Sequence, residues 1–225
     1  MKIAYQGVAG SYSESCAKEK YPDCETIPCK TFDECFEKAN NDNLVKAIIP
    51  ESNKTTGNIG VEYLIFKYRL NIFAEHFFPI NHNLLGLPGS KLSDIKDVYS
   101  HAQALSQSSI FIKKNKLNEN VRADTAGSAK YISEAKDKSK GAISSKLSAD
   151  IYNLQILNSN IQDEKENVTR FLIMQKDIFQ PELQNKKYIT SLLFKLKSKA
   201  GALYSALGSF TLNGVNLTKL QSFPE

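Results

Sequence analysis

The chain has 225 residues, 41% of them hydrophobic, enough for one large domain or two small ones with an ordinary core. Its formal net charge of +5 comes from dispersed lysines, and the arginine and aromatic interleaving of a nucleic-acid surface is missing. No apolar run approaches membrane-spanning length, and the positive balance suits a small anionic ligand as well as it suits solubility.

Lys2 to Tyr5 predicts a strand, followed by the turn Gln6-Gly7-Val8-Ala9-Gly10. Ser11-Tyr12-Ser13-Glu14 has capping-box spacing and predicts a helix to about Lys20; Thr31-Phe32-Asp33-Glu34 repeats it for a helix to about Asn40. Val45 to Ile49 is a strand that Pro50 ends, and polar residues 51–58 lead into a helix striped by Val61, Leu64, Ile65 and Tyr68. Asn71 to Ile80 and His82 to Leu87 are strands, closed by the turn Pro88-Gly89. Asp97 to Ser100 is a short strand, and a single helix runs from His101-Ala102-Gln103-Ala104 to about Asn115. Val121 to Thr125 leads into a helix opened by Ala126-Gly127-Ser128 and running to Lys136, and Gly141 to Ser145 into one from Leu147 to Tyr152. Thr169 to Gln175 is a buried strand, and Lys176 to Lys187, with Pro181, is a polar linker. Beyond it a strand (Tyr188 to Leu196), a helix from Ala200 to about Leu212, the turn Asn213-Gly214 and a strand (Val215 to Gln221) make a β-α-β unit. Such a unit closes its own sheet poorly, so a domain fragment or completion on a partner is expected.

Residues 1–7 read as strand and turn rather than a signal peptide, which sets the expectation of a cytoplasmic protein. Cys16, Cys24, Cys29 and Cys35 are irregularly spaced, form no C-x-x-C and have no histidine nearby in sequence, so buried or incidental thiols are expected and no metal site.

Five strand-to-helix junctions (6–13, 50–58, 100–104, 124–128 and 144–148) place small polar residues where α/β sheets bind ligands and where helix N–H groups meet anions. None carries a dinucleotide or P-loop fingerprint, so a small carboxylate is the better ligand, although serine and threonine also cap helices without binding anything. The stretch Asn167-Val168-Thr169-Arg170-Phe171-Leu172-Ile173-Met174 is a buried strand entered through a polar corner. Arg170 is one of only three arginines, with Arg69 and Arg122, and a guanidinium fork suits a carboxylate.

These residues resemble the prephenate dehydratase family. Thr169-Arg170-Phe171 matches its T-R-F motif, His101-Ala102-Gln103 is similar to H-P-Q, and Asp124-Thr125-Ala126 matches D-T-A. Gly7 to Ser13 matches G-x-x-G-[ST]-[YF]-[ST], and His82 to Leu85 matches H-x-L-L. Residues 50–57 align with P-x-E-N-S-x-x-G, with Ser52 for the glutamate, Lys54 for the serine, and Asn53 and Gly57 kept. Gly201-Ala202-Leu203 matches the G-A-L motif of the ACT regulatory domain, and Gln221-Ser222-Phe223-Pro224 departs from E-S-R-P at two positions.

The resemblance implies an α/β fold: a two-lobed catalytic domain (1–178) like type II periplasmic binding proteins, then the first part of an ACT (ferredoxin-like α+β) domain (188–225). Lobe one would be about 1–77 plus 161–178 and lobe two about 78–160. It implies conversion of prephenate to phenylpyruvate without a cofactor, with Thr169, Arg170, Asn53 and Gln103 catalytic. Ser11, Tyr12, Ser13, Thr55, Thr56, Gly57, His101, Ala102, Thr125, Ala126 and Phe171 would bind substrate. Thr169 would donate to the leaving hydroxyl, with Arg170 either strengthening it or clamping a carboxylate; His101 would be a base or a helix cap. Gly201, Ala202, Leu203, Gln221 and Ser222 would bind L-phenylalanine, and the family forms dimers or tetramers. Arogenate dehydratase is the nearest alternative, and a non-catalytic carboxylate-binding or amino-acid-sensing protein the alternative of another class.

Overall fold

The computed structural model describes residues 1–180, 188–192 and 194–222. Its elements in order are β1 (Lys2–Gln6), α1 (Tyr12–Lys20), β2 (Glu25–Cys29), α2 (Phe32–Asn41), β3 (Val45–Asn53), β4 (Gly57–Asn58), α3 (Glu62–Tyr68), β5 (Asn71–Pro79), β6 (Asn83–Gly86), β7 (Asp97–Ser100), α4 (Ala102–Ser106), α5 (Ser109–Lys114), β8 (Asn118–Val121), α6 (Thr125–Ala135), β9 (Lys140–Ser144), α7 (Lys146–Ile151), β10 (Gln155–Asn158), β11 (Val168–Gln175) and α8 (Ala202–Leu212). Residues 1–180 form one unit and the C-terminal residues from 181 a second.

Two mixed sheets organise the first unit. One runs β2-β1-β3-β11-β5, with β4 hairpinned onto β3; the other runs β10-β6-β9-β7-β8. The first sheet draws its strands from residues 2–79 and 168–175 and the second from 83–158, so the chain crosses between the sheets twice. Strand alternation sorts the first sheet's side chains. Ala47, Ile49, Leu172 and Met174 pack with Phe36 of α2 and Leu64 of α3, while Ile48, Phe171 and Ile173 pack with Cys16 and Ala17 of α1. The four cysteines are free thiols, all but Cys24 buried.

The helix starts follow from their caps. Ser11 and Thr31 accept from the Glu14 and Glu34 N–H groups, as the capping-box spacing predicts. Pro50, expected to end a strand, does not: β3 continues to Asn53. Its pairing with β11 slips by one residue there, Phe171 facing Pro50 but Arg170 facing Ser52. Glu51 is the extra residue of this bulge, a position beside which a proline's missing N–H is tolerated. The helix expected from 101 to 115 is instead α4 and α5. Ser108 N–H turns back to Leu105 C=O, and Asp163 takes the Ser109 and Ile110 N–H groups to start the second helix. Two edge strands were not anticipated: β2 contains Pro28, and β10 has only two apolar residues, Ile156 and Leu157, side by side between polar ones.

In the second unit, α8 forms where the apolar run predicts it, with Phe194 and Phe210 rings 6.4 Å apart and the Val215 N–H bonded to Phe210 C=O. The strands expected at Tyr188–Leu196 and Val215–Gln221 are not formed among the described residues. An extended segment becomes a strand only when a neighbour takes its N–H and C=O groups. Residues 181–187 of the expected linker, Leu193, Phe223 and Pro224 lie outside the described residues.

The turn after β1 is a docking point for the second sheet. Gly10, at φ +90°, leaves no room for a side chain: a Cβ would lie 2.6 Å from Ser148 Oγ and 2.9 Å from Ser148 Cα. Its carbonyl accepts from Ser145 Oγ (2.6 Å) and Ser148 Oγ (2.9 Å), and the Ala9 carbonyl from the Tyr152 hydroxyl (2.8 Å). Buried Glu14 holds the turn from behind, accepting from Gly10 N–H at 2.7 Å and Thr26 Oγ1 at 2.9 Å and pairing with Lys18 at 3.0 Å. Burial alone would raise its pKa, but the Gly10 N–H, Lys18 and Thr26 outweigh it and hold the carboxyl below its ordinary value. A depressed folded pKa gives stability that is present above the unfolded value, about 4.5, and lost as the pH falls through the folded one. Urea midpoints followed from pH 6 downward should therefore fall steeply for the wild type. Glu14→Gln should be less stable at pH 6 and lose part of that slope.

Candidate active site

The carboxyl end of β3 and the start of β11 meet beneath the first residue of α1. The bulge at Glu51 sets this meeting: without it Thr169 would face Ser52, and with it Thr169 faces Asn53. Both side chains then share the α1 face of the sheet, at 5% and 6% exposure, so neither can leave a polar atom unpaired without cost. Asn53 Nδ2 donates to Thr169 Oγ1 and to Asn167 Oδ1, each at 2.8 Å. Asn53 Oδ1 closes the β3–β4 turn, accepting from Thr55 N–H (3.0 Å), Thr56 N–H (3.2 Å) and both hydroxyls. Gly57, at φ +82°, completes that turn opposite Asn53.

The second sheet supplies the other wall. Gln103 of α4 donates to Thr56 Oγ1 at 2.9 Å, and Gln107, in the break between α4 and α5, donates to Thr55 Oγ1 at 2.7 Å. Gln107 Oε1 meets Asn167 Nδ2 at 3.1 Å and His82 Nε2 at 2.9 Å. His82 Nδ1 meets the Tyr12 hydroxyl at 2.7 Å, with their rings edge to face. Burial lowers the His82 pKa against the opposing effect of Gln107, which keeps the imidazole neutral, and burial raises that of the Tyr12 phenol. Among the described residues the only side-chain partner of Thr169 is Asn53, and Thr169 is the acceptor in that bond.

Of the residues singled out in the sequence, Asn53, Thr55, Thr56, Gln103, Tyr12 and Thr169 are brought together here. Ser11 caps α1, with Ser13 buried two residues on. His101 caps α4, its Nδ1 accepting the Gln103 N–H at 3.3 Å, and Ala102 follows it on the exposed first turn. Thr125 and Ala126 begin α6 behind Asp124, and Thr125 bonds to none of the cluster. Phe171 lies beneath it, packed on Phe78. Junction 144–148 is spent on Gly10 rather than on an open crevice.

Arg170 points to the opposite face from Thr169. Its Nε and Nη2 hold Glu75 at 2.8 and 2.7 Å, and Nη1 reaches the buried Glu51 at 3.4 Å. It is neither beside the Thr169 hydroxyl nor open to a substrate carboxylate. Lys54, the one cation of the β3–β4 turn, pairs with Glu166. The cluster itself is built of neutral amides, hydroxyls and a neutral imidazole. His82, Gln107 and Asn167 were missed as site residues. Asn167 was legible, since residues two apart on a strand share a face. Gln107 was not, because it lies in the helix break.

Residues 3–178 match the prephenate dehydratase family model. The chain belongs to the prephenate dehydratase family. It is 41% identical to arogenate dehydratase 2 of Petunia hybrida over the whole of this chain and 57% of that protein. The chain thus spans little more than half the length of the curated relatives it matches. Among solved structures, one titled as GqqA, a novel type of quorum quenching acylase, is 30% identical with a TM-score of 0.85, covering the whole chain and 82% of that protein. Prephenate dehydratase from Arthrobacter aurescens, solved with L-Phe, shares the fold at 24% identity and TM-score 0.84, over the whole chain and 76% of that protein. The cytoplasmic expectation is corrected: Arabidopsis thaliana relatives are named chloroplastic, and a strand-like opening does not place the family member in the cytoplasm. No helix among the described residues is long and apolar enough to cross a membrane.

Arg170→Met removes the cation that bonds both Glu75 and buried Glu51, and unfolding in urea should show a loss of about 3 kcal/mol.

Proposed function

We propose that this chain catalyses the decarboxylating dehydration of prephenate to phenylpyruvate, a carbon–oxygen lyase reaction in phenylalanine biosynthesis. The observation that carries the reading is the Thr169 hydroxyl, buried, accepting from Asn53 and holding a proton for which no acceptor stands among the described residues. In the reaction the ring carboxylate departs as CO2, its bonding electrons enter the ring, and the bond to the ring hydroxyl breaks. The leaving oxygen takes the Thr169 proton and departs as water; Thr169 is reprotonated from solvent. A free threonine is a weak acid, and the Asn53 N–H directed at Oγ1 stabilises the charge that builds there. Gln103 and Thr56, joined across the mouth of the site, orient the substrate with Thr55, Tyr12 and Ser13. Among the described residues no carboxylate or imidazole bonds to Thr169, which favours proton donation over the activated nucleophile that acyl transfer needs.

Arogenate, the aminated substrate, is the second reading, favoured by the names of the relatives; those names also support a plastid location. Residues 1–77 plus 161–178 and 78–160 are proposed as the two lobes, a division that the membership of the two sheets supports. Residues 188–225 are proposed as the start of an ACT domain, with Gly201, Ala202, Leu203, Gln221 and Ser222 toward L-phenylalanine. Gly201 at φ +79° opening α8 fits the G-A-L motif, and the L-Phe complex of the Arthrobacter aurescens protein supports the effector. Association is proposed as a homodimer or homotetramer.

The test is release of phenylpyruvate from prephenate, or of phenylalanine from arogenate. Thr169→Ala should lower kcat by about 10²-fold or more with KM little changed. Wild-type turnover in that variant would remove Thr169 from the chemistry. Added L-phenylalanine should slow the wild type; an unchanged rate would withdraw the regulatory reading.

A further inference from the structure

The amides of the site can each be turned two ways, but one end of their chain cannot. The Thr55 and Thr56 backbone N–H groups both point at one atom of the Asn53 side chain, which must be its oxygen. Nδ2 therefore points at Asn167 and Thr169. Asn167 must offer its oxygen to Asn53 and its NH2 to Gln107, and Gln107 must offer its oxygen to Asn167 and His82. His82 then carries its proton on Nε2, and its Nδ1 accepts from the Tyr12 hydroxyl rather than leaving that proton to the Asn81 carbonyl at 3.0 Å. Donation thus runs from Tyr12 through His82 and from Asn53 through Asn167, both ending on the Gln107 oxygen, and no reversal at any link leaves the others satisfied.

We propose that Tyr12 and His82 are positioning residues. Acting through Gln107 and Asn167, they hold the Asn53 amide so that it donates to Thr169, leaving the threonine proton for the substrate. The inference rests on the reading of Thr169 as the proton donor. The ends of the chain do different work: the turn backbone sets its sense, and the Tyr12–His82 pair keeps the far end from reversing. A reversed Asn53 would present its oxygen to Thr169, and the threonine would give its proton to the protein.

Two measurements test this. Nitrogen-15 imidazole spectra of the full chain at neutral pH should show His82 as the neutral Nε2–H tautomer, with Tyr12→Phe shifting the Nδ1 resonance. An Nδ1–H tautomer overturns the proposal whether or not turnover is seen. In steady-state assays with prephenate and arogenate, Asn167→Asp puts an acceptor against the Gln107 oxygen at constant size. It should lower kcat by about 30-fold or more while KM stays within about threefold. His82→Asn, which cannot reach Gln107, should do likewise, and His82→Gln, which restores a donor near the Nε2 position, should recover much of the loss. Equal kcat in His82→Asn and His82→Gln overturns the proposal. A wild type that turns over neither substrate would instead remove the proposed reaction, and the tautomer would still decide the direction of the chain.

Discussion

Everything at this site depends on one amide. Asn53 is buried between a turn whose backbone N–H groups it must accept and a strand whose threonine it must donate to. A neutral amide serves because it does both at once, and the groups it bonds are themselves uncharged. The orientation costs nothing at the moment of reaction, since the β3–β4 turn has already fixed it in folding.

The rest of the fold supports that placement. The α1 face of the first sheet carries Ile48, Phe171 and Ile173 down to the helix, and the polar cluster begins where this apolar row ends. On the other face Arg170 ties Glu51 and Glu75 together, so the bulge that aims Asn53 is held by an ion pair with buried Glu51. The two sheets are joined on one side through the backbone of Gly10 and on the other through Gln103 and Gln107. Side-chain hydroxyls on main-chain carbonyls form the first join, and side chains alone the second.

Much of this was legible in the sequence. Helix starts at Ser11 and Thr31 were, because capping boxes are local. Asn53, Gln103 and Thr169 were, through short motifs. Arg170 was legible as an unusual residue but not in its role. Adjacent residues on a strand face opposite ways, so the neighbour that shares the Asn53 amide with Thr169 is Asn167 rather than Arg170. Gln107 depended on a helix break made by Asp163, over fifty residues away in sequence. The edge strands β2 and β10 were hidden because their pairing is non-local and their composition is weak. The C-terminal strands were expected from alternation alone, which supplies a face but no partner.

The bulge at Glu51 makes the site a matter of phase as well as of composition. Deleting Glu51 would leave Asn53 opposite Thr169 in plain register, so the bulge is what lets the strand carry one extra carboxylate for Arg170 without putting Asn53 out of phase. Inserting one further residue there without a second bulge would instead carry Asn53 to the other face of the sheet, with every motif letter kept.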